Sequence, residues 1–548
     1  MAVTGEPSTS TWRDTALFPV VVVSVAAGVP LLVLIWMLLA PGHVVSREMT
    51  WDMMFILEGG WHVFQGQVPH VDFHDPVGEL NFLLTAVGFD LVGVRPLAFL
   101  AGSSLMAMVL FVCASIVAPP RLPLLPAALF ALFAGLLALM PANAGDLPSE
   151  YSFAMSYNRY GWSALSIVAL ILFLPRHVGG REIADLAMGA VLLLILFYTK
   201  ITYFAAGMRA LAVAIVICPA VRARWRAWTV IGSLLILNAL APYSHAYIDD
   251  LWANVGSGGV KSNYVLQINY FLSNGTEHAL YLAMVAAAAW LWWSGLAPPR
   301  VPLASAFLVG IGWLLLTQNS QFNGVALAVV VALLLYDTLR GCGVGPPALL
   351  LLILPAMWIA AAGASVVGHH FKTGDPTLTF VDSTNLRGLA VPTEDSGLLA
   401  AFADGGHSFQ LLSRARVNRP RHELLPYEYV QTIEEAVTLL SRYRPGTIVL
   451  LDQVNPMPFV MGWPPPRGGN LWSGPKAPQR SAEQLFGSAD YVLIPKFSTI
   501  GAWTEEAVTT LYGSYLAEHF HDLAETQSWR LLGPRTAGVG NEPNRQSL

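Results

Sequence analysis

Met49-Thr50-Trp51-Asp52 opens a stretch that runs on through Glu58-Gly59-Gly60-Trp61-His62 and Gly66-Gln67-Val68-Pro69-His70-Val71-Asp72-Phe73-His74-Asp75-Pro76, and closes at Val92-Gly93. It follows the first long apolar run and crowds acidic and histidine side chains together in a chain that otherwise spends few charges. Charge that close to a bilayer needs water, a partner or a task. The remainder of the sequence reads as a means of holding this stretch against a membrane.

The 548 residues are 55% hydrophobic and 12% charged, against roughly 25% charged in ordinary soluble domains. Apolar runs at 17–40, 97–118, 122–141, 161–175, 184–199, 203–220, 227–243, 279–294, 301–317, 322–337 and 347–367 predict a polytopic α-helical membrane protein of about eleven spans. Residues 1–16 form a short polar tail, 17–368 the membrane domain and 41–96 its acidic outer loop. The first run lacks an Ala-x-Ala exit and is expected to stay as an anchor. Net charge is only −5 and spread out, which argues against a nucleic-acid partner. Cys113, Cys218 and Cys342 fall on or near the inner side, so no disulfide framework is expected.

Orientation follows the basic residues. Arg121, Arg176 with Arg181, Arg222/Arg224/Arg226, Arg300 and Arg340 mark connections that face the cytoplasm. Those at 41–96, 142–160, 244–278 and 317–323 face the other side. The alternation holds if Leu80–Leu91 lies along the interface as a juxtamembrane helix; a re-entrant or true span is the rival. After residue 368 charges and prolines rise. A capping box at Thr432-Ile433-Glu434-Glu435 predicts a helix start, Thr447–Asp452, Tyr491–Pro495 and Trp529–Leu532 predict strands, and Glu505–Glu525 a helix. Residues 369–548 therefore read as an α/β domain on the same face as the acidic loop, periplasmic or extracellular.

Asp52 stands close to the surface just past the first span, placed either to act as general base on an acceptor hydroxyl or as a solvated loop acid. His70, Asp72 and His74 alternate, so an extended backbone would turn them to one face, where a divalent metal could sit; hydrogen bonds ordering the loop, Asp75 included, are the rival. Tyr157-Asn158-Arg159-Tyr160, with Asp146 and Glu150 just before, suits either a phosphate at headgroup depth or an aromatic-belt anchor. Lys200, between two spans, and Arg209, deeper, call for an anionic partner or snorkel outward. Gln318 and Asn319 offer amides to sugar hydroxyls or to helix ends. Lys261 completes the outward cations, and Asn274-Gly275-Thr276 matches a glycosylation sequon. The chain has no Walker loop, no placed dinucleotide fingerprint and no Gly-x-Ser-x-Gly, which removes most of the weight from ATP-driven transport and serine hydrolysis.

Asp52, Gly66-Gln67-Val68-Pro69-His70-Val71-Asp72-Phe73, Pro76, Val92-Gly93 and Arg95 resemble the first outer loop of the GT-C glycosyltransferases, notably the protein O-mannosyltransferases and lipid A aminoarabinose transferases. Met53 stands where the family often has Glu, His70 where it has Tyr, and Val77-Gly78 where a second Pro is common. The resemblance implies a GT-C-like membrane domain, Asp52 as general base, and a sugar on a polyprenyl phosphate as donor, with Arg159 or Lys200 holding the phosphate. It implies an inverting transfer to a glycan, lipid or protein acceptor at a bacterial inner (plasma) membrane, with the N-terminus cytoplasmic. Two other classes stay open: a transporter or flippase for a lipid-linked or anionic solute, and a non-catalytic assembly component.

Overall fold

The computed structural model describes residues 17–178, 182–257, 268, 272, 275–318, 324–382, 384–393, 424–474, 477–496, 499 and 505–535. The 1–16 tail, Arg181, Lys261, Asn274 and Asn319–Asn323 lie outside them. The chain is mainly helical, and each of the eleven apolar runs carries a helix. In order the helices are α1 (Phe18–Leu39), α2 (Thr50–Phe64), α3 (Leu80–Val92), α4 (Leu97–Val117), α5 (Leu124–Leu139), α6 (Ser156–Phe173), α7 (Glu182–Thr199) and α8 (Ile201–Ile217). They continue as α9 (Trp225–Ala239), α10 (Pro242–Gly256), α11 (Gly275–Trp293), α12 (Arg300–Gln318), α13 (Leu327–Gly341) and α14 (Ile353–Lys372). Five helices are long and apolar enough to cross a bilayer: α1, α4, α7, α12 and Leu349–Lys372, which contains α14. A helix closes its own backbone hydrogen bonds, which is what such apolar sequences require.

The acidic loop folds into two helices, α2 and α3. With 13 residues, α3 rises about 20 Å, short of the roughly 30 Å hydrocarbon core. Gly93, at φ +84, stops it, and Arg95 Nε caps the Val92 carbonyl at 2.8 Å. Glycines set how closely the neighbours approach. A Cβ on Gly59 would lie 2.2 Å from the Phe82 ring, and one on Gly88 2.0 Å from the Ala98 carbonyl oxygen. The 244–278 connection, read as loop, contains α10, which bends by 77° from α9.

After α14 comes an α/β region. Its main sheet has the order β4 (Ile448–Leu450), β5 (Tyr491–Pro495), β7 (Trp529–Pro534), β6 (Phe520–Glu525). The β4–β5 pair is parallel and the others antiparallel. A smaller sheet joins the two halves of the chain: β1 (Val44–Val45), just past α1, pairs in parallel with β3 (Leu389–Pro392), and β3 pairs with β2 (Leu378–Phe380). One continuous apolar core runs from Val23 on α1 to Leu531 on β7.

Two local expectations are corrected. Helix α15 (Pro426–Leu440) starts at Pro426, not at the Thr432 box. Proline presets the first-turn φ, the Glu428 carboxylate accepts the Leu425 N–H at 2.7 Å, and Thr432 sits mid-helix, donating to the Tyr429 carbonyl. Helix α16 (Glu505–His519) ends at His519. Phe520–Glu525 instead forms a hairpin with β7, so cross-strand pairing overrides the helical propensity of Leu523-Ala524-Glu525.

Gly88→Ala should push α3 off α4 and cost about 1–3 kcal/mol, typical of overpacking, lowering the thermal midpoint followed by tryptophan fluorescence in detergent. Gly363→Ala on α14, where a Cβ meets nothing within 4 Å, should leave the midpoint unchanged or raise it.

Candidate functional site

Helix α2 begins at a strained point. Met49 precedes it at φ 48, and its carbonyl accepts the Asp52 N–H at 3.0 Å. Asp52 therefore lies in the first helical turn, where the N-terminal end of the macrodipole favours a carboxylate. It is 8% exposed and within electrostatic reach of two phenols, Tyr157 on α6 and Tyr429 on α15. Trp51 meets Tyr429 edge-on at 6.2 Å. Burial, with Asp452, Glu58 and Asp52 adding to it, pushes the Tyr429 phenol well above its ordinary range. All four described non-glycine residues at positive φ (Met49, His70, Tyr151 and Met155) lie in the two connecting stretches that flank Asp52 and Tyr157. Strain collected in this way is a mark of functional sites.

The second wall is the junction of α7 and α8. Lys200 sits between the helices in an extended conformation, φ −167. Its ammonium lies 4.7 Å over the Tyr157 ring and 3.4 Å from Asn158 Oδ1. Burial pulls its pKa down to about 7, against the attraction of Asp75. Burial likewise raises Asp75 well above the usual carboxylate range, opposed by the Val77 N–H on its Oδ1 at 2.7 Å. The Val77-Gly78 departure now has a physical reason. Both N–H groups are used, Gly78 donating to the Thr199 carbonyl at 3.1 Å, and proline has none. A Cβ on Gly78 would also lie 2.2 Å from the Tyr198 carbonyl oxygen.

Several buried polar atoms on these elements have no hydrogen-bond partner: Asp75 Oδ2, Asn158 Nδ2, Thr199 Oγ1, Thr202 Oγ1 and the Tyr429 hydroxyl. Buried polar groups are normally satisfied. Groups left without partners in this way keep hydrogen-bonding capacity that a ligand could use.

A third feature fastens the loop. His70 Nδ1 and His74 Nδ1 both bond the carboxylate of Asp250 on α10, at 3.0 and 2.8 Å. The Asp75 N–H and Arg480 Nη2 reach the same carboxylate, each at 3.2 Å. The alternating metal face does not form: His70 turns to φ +66, and Asp72 accepts from the Val68 N–H and pairs with Arg467 at 3.1 Å. Among the described residues no group of three or more His, Cys, Asp or Glu is arranged to hold a metal ion. The C-terminal region grips the same loop through its backbone. Gly468 N–H donates to the Asp72 carbonyl, and His74 exchanges bonds with Gly469 and Leu471. Trp61 Nε1 donates to the Trp463 carbonyl at 2.9 Å, and the Phe459 N–H donates to Glu58 at 3.0 Å.

The other predicted residues are not part of this cluster. Arg159 is buried on α6, its electrostatic partners Tyr160 and Asp146 rather than Asp52 or Asp75. Arg209 on α8 and Gln318 at the end of α12 are exposed, and Asn319 lies outside the described residues. Glu150 lines a cleft of about 240 Å³ with Arg47, Glu48, Ser149, Pro392, Leu425 and Pro426. Sequence reasoning missed Tyr429, Asp250 and Arg480. The one available signal was Asp249-Asp250, an acidic pair in the 244–278 connection, where the charges bore on topology alone.

Comparison with protein-family models, curated proteins and solved structures returns no match.

Because the folded-state pKa of Lys200 is depressed, the unfolded chain binds more protons between about 7 and the ordinary lysine value near 10.4. The stability penalty is full below about 7 and fades as pH rises towards 10. Lys200→Met should therefore raise the thermal midpoint most at pH ~6, the gain shrinking with rising pH; an equal gain at all pH values would contradict the burial argument. Asp250→Asn strips the charge from the joint and should cost about 3–5 kcal/mol, read as a lower unfolding midpoint. Asp249→Asn, at a side chain 64% exposed, should change it little.

Proposed function

We propose that this chain is a membrane glycosyltransferase that moves a sugar from a polyprenyl-phosphate donor to an acceptor hydroxyl on the periplasmic or exoplasmic face. The observation that carries the reading is the meeting of Asp52 with Lys200, Asn158 and Asp75 around Tyr157, at the outer-loop ends of the helices, amid polar atoms without partners. In this reading all eleven apolar helices span, α3 lies in the interface, and the N-terminus is cytoplasmic. The opposite helix ends support that orientation: Arg121 and Arg176 both pair with Asp185 at 2.7 Å, a basic cluster suited to the cytoplasmic side.

The reaction is one displacement. The acceptor hydroxyl attacks the anomeric carbon, its proton passes to the Asp52 carboxylate, and the bond from that carbon to the phosphate oxygen breaks on the opposite face, with inversion. The departing polyprenyl phosphate carries away the electron pair. Lys200, with Asn158 Nδ2 as donor, stabilises the charge that grows there. A phosphate dianion beside Lys200 also holds the ammonium in its charged form. A lipid donor enters sideways from the bilayer, which accounts for a site at the rim and for the absence of nucleotide motifs from the sequence.

One observation favours a second reading. The bend between α9 and α10 is the kind of broken helix that transporters use around a substrate. A flippase moves a lipid-linked solute with its sugar bond intact. Purified protein in nanodiscs with radiolabelled polyprenyl-phosphate sugar and envelope extract should therefore transfer label, and Asp52→Asn should lose about 10²–10⁴-fold of that rate with folding unchanged. Full transfer by Asp52→Asn contradicts the assignment, and flux of intact donor across proteoliposomes without transfer establishes the transporter.

A further inference from the structure

Resting on that reading, we infer that the cleft lined by Arg47, Glu48, Ser149, Glu150, Leu425 and Pro426 is the acceptor site, and that it takes a water-soluble, hydroxyl-rich acceptor rather than a lipid. The cleft has a volume of about 240 Å³. None of its lining residues lies in a helix long and apolar enough to cross a membrane, so its occupant arrives from the aqueous phase. Two carboxylates face one guanidinium, which disfavours an anionic acceptor, while Arg47, Ser149 and the acids supply donors and acceptors suited to hydroxyls.

Along the chain the cleft adjoins the candidate base in two places. Arg47 and Glu48 run directly into α2, whose first turn carries Asp52. Leu425 and Pro426 open α15, whose first turns carry Tyr429. The Tyr429 hydroxyl is buried without a hydrogen-bond partner, within electrostatic reach of Asp52. An acceptor seated between these walls would bring its hydroxyl to the N-terminal ends of α2 and α15, the turns that carry Asp52 and Tyr429. Tyr157 is also within electrostatic reach of Asp52, and the Lys200 ammonium 4.7 Å over its ring marks the phosphate side. An in-line displacement needs the acceptor hydroxyl, with Asp52 beside it, on the face of the anomeric carbon opposite the bond to the phosphate oxygen. The walls, Pro392 included, come from four separated parts of the chain, held in place by the Glu48–Ser152 bridge, the Arg47 N–H on the Tyr151 carbonyl and the β1–β3 pairing.

The test blocks the cleft without touching either the base or the phosphate side. Ser149 is exposed, so Ser149→Trp fills the cleft from a tolerant position; Leu147→Trp, at a nearby residue 62% exposed and outside the lining, is the control. Full-length protein in nanodiscs receives lipid extract carrying radiolabelled polyprenyl-phosphate sugar, together with a water-soluble envelope extract. Two quantities are read: label appearing in the aqueous phase as glycan, and binding of unlabelled polyprenyl phosphate by displacement of the labelled donor. Ser149→Trp should lower aqueous transfer at least tenfold with donor binding unchanged, and Leu147→Trp should match the wild type. Wild-type transfer by Ser149→Trp overturns the acceptor assignment, as does an equal loss of donor binding or label that moves only into lipid-extractable acceptors. If the wild-type protein binds no polyprenyl phosphate at all, the glycosyltransferase reading fails, and the cleft assignment with it.

Discussion

Burial of ionisable groups is the constraint on which this structure depends. Asp52, Glu58, His62, His70, Asp75 and Glu79 of the one stretch between α1 and α4 are all under 9% exposed. A charge taken out of water costs several kcal/mol unless partners replace the hydration. The partners come from far along the chain: Asp250 for the two histidines, the Phe459 N–H for Glu58, and the backbone of 468–471 for the stretch around Asp72 and His74. The C-terminal region is thus a structural necessity for the loop, which by itself would expose what it now hides. The shared core from α1 to β7 is the apolar counterpart of the same dependence.

That arrangement explains why the electrostatics differ from one end of the loop to the other. Around Asp250, four donors meet one carboxylate and both of its oxygens are paired. Around Tyr157 pairing is incomplete: a lysine and an aspartate, each disfavoured in its charged form by burial, stand beside amide and hydroxyl groups without partners. A satisfied joint next to an unsatisfied pocket is what a rigid mount for a reactive site looks like, since the joint fixes Asp75 through its N–H while leaving Asp75 Oδ2 unpartnered. The Gly78 contact with the end of α7 performs the same task on the other side, bringing the loop against Lys200 at a distance no side chain would allow.

Much of the fold was legible because its signals are local. Apolar runs of spanning length became helices, the Tyr491–Pro495 strand kept its bounds, and 80–93 formed a helix too short to cross. What was not legible depends on tertiary choice. Nothing in the spacing of His70, Asp72 and His74 says that a left-handed turn at His70 sends the histidines to Asp250 and leaves Asp72 to Arg467. Lys200 was readable as a cation needing an anion, and Asp75 lies within its electrostatic reach. Arg159, read by the same rule, turned out to occupy a different face of α6. Tyr429 carried no mark at all, because its position beside Asp52 exists only once α15 packs on α2.

The central claim is that a lipid-borne phosphate sits between Lys200 and Asn158, beside Asp52. Photoaffinity labelling with a diazirine-bearing polyprenyl phosphate in nanodiscs, mapped by mass spectrometry, tests it most directly. The account predicts cross-links on peptides containing Tyr157–Asn158 and Tyr198–Thr202, competed away by unlabelled polyprenyl phosphate and lost in Lys200→Met. Labelling confined to the opposite helix ends, around Arg121 and Arg176, would contradict it.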